Sequence, residues 1–230
     1  MKILILLITL IYAEINENII FNPKNTIILR GEINENLISN TINKIVLSNQ
    51  SDIYMYIDSG GGDVFSGNKL IETINFYRKK KKIFCIANYA ASMAFAILQS
   101  CEYRYGTRFS RFMQHPIRIQ INDNKNNIEN YLQYINAIEQ DIVDMQIKRI
   151  KIDRNTFINN IKNDWWLNGN QAKKLNIIDK LVDVGCNVTH SDTMKFDKIE
   201  KINDKFFQIT DFKSSCPLII KPLYSKYKII

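Results

Sequence analysis

Two kinds of hydrophobic pattern alternate along the first half of the chain, and this alternation constrains the fold more than any other feature. Short apolar runs typical of strands lie at 25–33, 52–63 and 82–90. Each is followed by a segment with the three-to-four-residue apolar repeat of a helix, at 34–50, 66–80 and 91–98. Strands that alternate with helices favour parallel pairing through crossover helices. The chain is therefore predicted to be an α/β protein.

The second half continues less regularly. Residues 108–121 are strand-like, and residues 126–150 form one long amphipathic helix. Its apolar stripe consists of Ile128, Leu132, Ile135, Ile142 and Met145. Two short helices are expected at 153–164 and 168–179, on either side of the apolar residues 165–167. From about Gly185 the pattern decays, so 185–230 is treated as a C-terminal extension of unknown structure.

The N-terminus has the shape of a secretory signal peptide. One lysine precedes an apolar run at 3–13, which is too short to cross a membrane as a mature helix. Residues 1–13 are therefore expected to be a targeting leader that directs the chain into the secretory pathway, to a lumenal or secreted location. A plastid-type organelle reached by that route is the alternative location, and a buried first strand is the alternative structure.

Charge and cysteine content restrict the class of protein. The net charge is +8, but the densest basic cluster, at 78–82, joins a helix to a strand and has no interleaved aromatic platform. It is interpreted as a solvated connector, so no nucleic-acid partner is expected. The four cysteines have no metal-site spacing. Cys186 and Cys216 bracket the tail and are able to pair in an oxidising compartment.

Three features carry the chemistry. Glycines 60–62 follow a strand and precede a helix, without the Gly-Lys-Ser/Thr of a phosphate-binding loop, which suits a backbone oxyanion hole. Ser92 is the only hydroxyl at the mouth of the next helix, and is either a nucleophile or a serine bonded to its own helix. His115 ends a strand just before Pro116 and is the candidate base, whereas His190 lies in the irregular tail.

With these residues the chain resembles the ClpP family, the proteolytic subunits of Clp protease. The matching segments run from about 26 to 184 and occur in the family's order, at 53–67, 90–93, 110–116 and 163–181. Residues 14–184 are accordingly interpreted as a ClpP-like peptidase domain. The resemblance implies a ClpP/crotonase-type spiral of βαβ units with a protruding handle helix.

The resemblance also implies the site residues. Ser92 is the expected nucleophile, His115 its general base, and Asp164 the acid that orients the histidine. The backbone N–H groups of Gly62 and Met93 would form the oxyanion hole. No metal or organic cofactor is implied.

A serine endopeptidase is expected, which hydrolyses peptides or unfolded proteins within stacked rings of identical subunits. A role in protein quality control with an AAA+ unfoldase follows from the same resemblance. Against that partner, cleavage of the leader at Ala13 would leave only residues 14–25 before the apolar run that starts at Thr26, so no counterpart of the family's N-terminal loop and helix is expected. The residues after His115 also lack the family's glycines, and Asn163 replaces an arginine common before the aspartate.

Two alternatives stay open at this point. A catalytically inactive, ClpR-like structural ring subunit would explain the departures but not the complete triad. An acyl-CoA hydratase or isomerase would share the fold, but that chemistry relies on glutamates, and the acids nearest the glycine turn are Asp58 and Asp63.

Overall fold

The computed structural model describes residues 17–188, 193–202 and 205–229. Seven strands form the main sheet, in the order β1-β7-β5-β4-β3-β2, with β6 on the free part of β5. All neighbours on the main path pair in parallel, and β6 is antiparallel to β5. The strands are β1 (Glu17–Phe21), β2 (Thr26–Arg30), β3 (Asp52–Ser59), β4 (Lys82–Ala91), β5 (Tyr103–Gln114), β6 (Trp165–Asn168) and β7 (Lys180–Cys186). The predicted α/β class with parallel strands is confirmed.

Six helices connect these strands, and their starts follow the capping rules of the sequence. Asn34, Asp63, Asn124, Asp153 and Asn168 each accept a backbone N–H of the first turn that they cap. The helices are α1 (Glu35–Leu47), α2 (Val64–Tyr77), α3 (Met93–Ser100), α4 (Lys125–Ile150), α5 (Arg154–Ile161) and α6 (Gly169–Lys174).

The two faces of the main sheet bury different side chains, because successive residues of a strand point to opposite sides. In β3, Ile53, Met55 and Ile57 face the larger core beneath the helices. Tyr54 and Tyr56 face the other side, where a smaller cluster is rich in aromatic rings. On that side Tyr54, Phe84 and Tyr103 stack in a row across three strands, with centroid separations of 5.0 and 4.5 Å.

The long helix α4 has two environments. In its C-terminal half, Val143, Gln146 and Ile150 are buried against the domain, whereas most side chains of its first ten residues are exposed. Although α4 has 26 residues, no helix in the described ranges is both long and apolar enough to cross a membrane.

Residues 115–121 correct one expectation from the sequence. The strand begins earlier than predicted and ends at Gln114, and the residues that follow have no regular structure. Pro116 lacks a backbone N–H and cannot continue a ladder. The N–H of Ile117 is donated to the Glu139 carboxylate of α4, at 2.7 Å. The apolar segment 165–167, expected to separate two helices, lies in strand β6.

The C-terminal extension folds into a separate antiparallel sheet of three strands, in the order β10-β9-β8. These are β8 (Thr193–Ile202), β9 (Lys205–Ser214) and β10 (Tyr224–Ile229). The apolar alternation of β8 breaks between Phe196 and Ile199, which explains why the sequence pattern decays there.

Two disulfides are present in the described residues. Cys186 pairs with Cys216 and ties the extension to the end of β7. Cys85 pairs with Cys101 inside the core, a pairing that the sequence did not indicate. The leader expected at residues 1–13 lies outside the described residues.

Candidate active site

The glycine turn after β3 is held in a conformation that only glycine adopts without strain. Gly61 has φ +97° and Gly62 has φ +146°. A Cβ on Gly61 would lie 2.6 Å from the Cβ of Ser92, and one on Gly62 would overlap the Ile33 carbonyl. The turn is therefore built to approach Ser92 closely.

Hydrogen bonds fix both sides of this turn. The Ile33 N–H donates to Gly61 O and the Asp63 N–H donates to Ile33 O, each at 2.8 Å. The Ser59 hydroxyl accepts the Gly61 N–H at 3.1 Å and donates to Gly31 O at 2.6 Å. Ile33 thus holds the turn through Gly61 O and the Asp63 N–H, and neither of these bonds uses the Gly62 N–H.

Ser92 has a strained backbone. It stands between β4 and α3 with φ 55° and ψ −123°, a conformation that costs a residue other than glycine of order 1–3 kcal/mol. Its side chain makes no capping hydrogen bond to α3 within the described structure. The alternative interpretation, a serine hydroxyl bonded to its own helix, therefore does not describe it. Such strain is typical of a serine held on a sharp strand-to-helix turn.

His115 is brought beside Ser92 by the sheet register. Ala91 of β4 pairs with Met113 of β5, and the Ser92 N–H donates to Met113 O at 2.9 Å. Ser92 and His115 thus follow the carboxyl ends of β4 and β5, which are adjacent parallel strands. The carboxyl ends of parallel strands are the usual place for a binding or active site in such sheets. The His115 side chain is half-buried, and its Nδ1 lies 2.5 Å from Pro116 O.

Ser92 and His115 line one cavity of about 180 Å³. Gly62 and Met93, the expected oxyanion-hole residues, line it too. Met93 is the first residue of α3, so its N–H lies at the positive end of the helix dipole. The remaining lining residues are Val64, Ala96, Gln114, Ile117, Arg118 and Ile142.

Asp164 lies close to His115 in the backbone but binds another residue. It immediately precedes Trp165, which pairs with Gln114 in the antiparallel β5–β6 ladder, and His115 immediately follows Gln114. Its carboxylate, however, accepts a hydrogen bond from Arg118, with Nη2 and Oδ1 2.7 Å apart. The structure therefore brings the three backbone segments together and directs the Asp164 side chain to Arg118.

Asp58 and Asp63 serve structural purposes, which weakens the case for a hydratase. Asp58 accepts hydrogen bonds from Arg30 and Asn88, each at 2.9 Å. Asp63 caps α2 by accepting the Ser66 N–H at 2.7 Å. Burial alone would raise the pKa of the Asp63 carboxyl, but the hydrogen bonds from Ser66 and Phe65 hold it below its ordinary value.

Three residues of this region were not found from the sequence. Arg118 is the partner of Asp164, and a buried pair, Gln114 and Gln146, joins the end of β5 to α4 with a 2.8 Å hydrogen bond. The position of Gln146 on the apolar stripe side of an amphipathic helix was an available signal. Nothing in the sequence signalled the ion pair.

A comparison with protein families finds that the model described as Clp protease matches residues 14–185. Among curated proteins, the chain is similar to the ATP-dependent Clp protease proteolytic subunit of Borrelia garinii subsp. bavariensis. The two are 25% identical over 135 residues, which cover 58% of this chain and 70% of the relative. The corresponding subunit of Borreliella afzelii is 24% identical over 58% and 68%. Subunit 1 of Borreliella burgdorferi is 24% identical over 58% and 70%.

Proposed function

The chain belongs to the Clp protease family and is a ClpP-type serine peptidase, and from that premise we propose that Ser92, His115 and Asp164 are its catalytic triad. The observation that carries this assignment is Ser92 itself. A serine at φ 55°, without a capping bond in the described structure, shares a cavity with a histidine and with two candidate oxyanion donors. Strain of this kind persists where the surrounding structure holds it for function.

The geometry suits acyl transfer. Ser92 Oγ attacks the peptide carbonyl carbon while His115 accepts the hydroxyl proton, and the carbonyl oxygen becomes an oxyanion between the N–H groups of Gly62 and Met93. His115 then protonates the leaving amine, and the acyl group stays on Ser92. Water, deprotonated by His115, releases the acid and restores the serine.

Asp164 must change partner for this cycle. In the structure its carboxylate is bound to Arg118, and both side chains are exposed. Asp164 and His115 follow the last pair of the β5–β6 ladder, Trp165 and Gln114. For catalysis the Asp164 carboxylate must turn toward the histidine, and His115 Nδ1 must leave Pro116 O. Bound there, it would hold His115 in the tautomer that accepts the Ser92 proton.

The proposal includes a ring of identical subunits. The first half of α4 carries apolar side chains that the domain does not cover, among them Tyr131, Leu132 and Tyr134, exposed by 40, 37 and 52%. Phe65 of α2 stacks on Tyr134 and extends this surface. Contacts between such helices of two rings would cover it and enclose the Ser92 sites, so that access selects unfolded chains and short peptides.

The proposal also covers the partner and the cellular location of this chain. The relatives are named as subunits of an ATP-dependent protease, and we extend to this chain an AAA+ partner and a role in protein quality control. Entry into the secretory pathway by the N-terminal leader is part of the same proposal, with a plastid-type organelle as the alternative. The two disulfides support an oxidising compartment. The comparisons do not favour a ClpR-like inactive subunit.

A fluorophosphonate probe tests the triad, because it labels only an activated serine. The full chain should be labelled at Ser92, and Ser92→Ala and His115→Ala should abolish labelling. Asp164→Asn should reduce it by about a thousandfold or more, since the histidine would then be held in the wrong tautomer. Ser51→Ala, at an exposed position outside the cavity, is the matched control. An assembled, folded chain without labelling would refute the assignment.

A further inference from the structure

The cavity beside Ser92 has a mixed lining, in which one residue carries a fixed charge. Val64, Met93, Ala96, Ile117 and Ile142 supply its apolar lining. Arg118 is the only lysine or arginine among the described residues that line it. An arginine is always charged and binds carboxylates through a planar fork of N–H donors. A substrate side chain that enters this cavity therefore meets one fixed positive charge.

The present partner of that charge is held weakly. Arg118 and Asp164 are 2.7 Å apart, but their side chains are 71% and 41% exposed. Exposed ion pairs contribute little because water and salt screen them. A second carboxylate that binds in the cavity can therefore replace Asp164 at little cost.

The catalytic cycle itself requires this exchange. When Asp164 turns to His115, Arg118 loses the only acidic partner that the structure gives it in the described residues. The working arrangement of the site then has an unpaired guanidinium beside the nucleophile. A peptide with an acidic side chain would neutralise it, whereas a neutral peptide would leave Asp164 drawn back to Arg118.

We propose that Arg118 is a specificity-determining residue that selects peptides with an aspartate or glutamate next to the scissile bond. The substrate carboxylate takes the place of Asp164 on Arg118, and the released Asp164 orients His115. Binding of the preferred substrate thereby completes the triad. This inference rests on the proposed function, because it requires Asp164 to be the acid of the triad.

Internally quenched peptides that differ at one residue test the preference. The residue on each side of the scissile bond is varied in turn among Glu, Gln and Lys, and kcat/KM is measured with the assembled full chain. Glu should exceed Gln by about three- to fivefold at one of the two positions, the range expected of an exposed ion pair. The difference should shrink in 1 M salt, where charges are screened within about 3 Å.

Two variants separate selection from other roles of Arg118. Arg118→Gln should lose the Glu preference and cleave the Gln peptide faster than the parent, because Asp164 is then free. Arg118→Glu should prefer Lys. Arg108→Gln removes the same charge at a residue that does not line the cavity, and it should keep the parent's preference. If Arg118→Gln instead slows all three peptides equally, Arg118 holds Asp164 in its working position and the proposal is wrong.

Probe labelling in the same preparations distinguishes this inference from the proposed function. A parent chain that is labelled at Ser92 but cleaves Glu and Gln peptides equally refutes acidic selection and leaves the peptidase assignment standing. A folded, assembled chain without labelling refutes both. Labelling together with a Glu preference that Arg118→Gln removes supports both.

Discussion

A hydrogen-bonded pair of buried glutamines joins α4 to the strand end that bears His115. Gln114 Nε2 donates to Gln146 Oε1 at 2.8 Å, and Gln146 Nε2 donates to Ile142 O at 3.1 Å. On the other side, Gln114 Oε1 accepts the His115 N–H at 3.3 Å. Gln114 is 5% exposed and Gln146 is fully buried. Replacing Gln146 with Leu therefore leaves the Gln114 amide, which is almost fully buried, without the acceptor of its Nε2 hydrogen bond.

The expected cost follows from that burial. An unsatisfied buried amide costs about 1–3 kcal/mol, whereas replacing both partners with apolar groups of similar shape is nearly neutral. Gln146→Leu should therefore lower the free energy of unfolding by about 2 kcal/mol, or the melting temperature by about 4–8 °C for a chain of this size. The double variant Gln114→Leu/Gln146→Leu should recover most of the loss.

Chemical denaturation of the parent, both single variants and the double variant gives the coupling between the two side chains. Gln50→Leu, at an exposed position, is the control and should change stability by no more than about 0.5 kcal/mol. Fluorophosphonate labelling then separates packing from positioning. The double variant has lost the acceptor of the His115 N–H, so it should be stable but labelled more slowly than the parent. Single-variant costs that simply add in the double variant would refute the reasoning.

Three further predictions concern Ser92, a partly buried ion pair and the extension. Ser92→Gly should be more stable than Ser92→Ala by about 1 kcal/mol in chemical denaturation, because glycine accepts φ 55° without strain; equal stabilities would contradict backbone strain there. Burial alone would raise the pKa of the Asp179 carboxyl, but hydrogen bonds from the buried Arg104 hold this pKa below its ordinary value. The ion pair therefore stabilises the fold at a pH above the pKa of the unfolded carboxyl. This contribution disappears as the pH falls through the lower pKa of the folded state. Asp179→Asn should therefore melt at a lower temperature at pH 7, and its melting temperature should fall less than the parent's between pH 5 and pH 2. A melting temperature with the same pH dependence as the parent's would exclude this role. Replacing Cys186 and Cys216 together with Ser should lower the free energy of unfolding by about 2–4 kcal/mol under non-reducing conditions. An unchanged free energy of unfolding would contradict a stabilising role of this disulfide.

The strands and helices that carry the site were largely predictable, because their signals are local. The apolar runs before the glycine turn and before Ser92 became β3 and β4, and the long stripe at 126–150 became α4. Capping residues such as Asn124 and Asp153 start their helices as side-chain chemistry requires. The predicted end of β5 was wrong. The apolar residues after Pro116 continue a strand-like pattern, but Pro116 itself has no backbone N–H to continue the ladder.

Side-chain partners across the fold were not predictable from one sequence. Arg118 and Asp164 are 46 residues apart, and Gln114 and Gln146 are 32 apart. Their contacts arise only once β6 has paired with β5 and α4 has packed beside them. The same reason hid the Cys85–Cys101 disulfide, whose partners lie at the start of β4 and after the end of α3.

The amino-acid sequence by itself determined the parallel α/β class, the order of the segments, and the identity of the serine, histidine and aspartate that the family resemblance singles out. These follow from periodicity, from turn and cap residues, and from motifs, all of which act over a few neighbouring positions. The tertiary structure alone decided that Ser92 stands at a positive φ, that its cavity has one arginine, and that Asp164 is bound to that arginine. Those facts depend on which strands, distant in sequence, become neighbours and on which charged group then lies within reach of each carboxylate. Both are determined by the free energy of the whole packed chain.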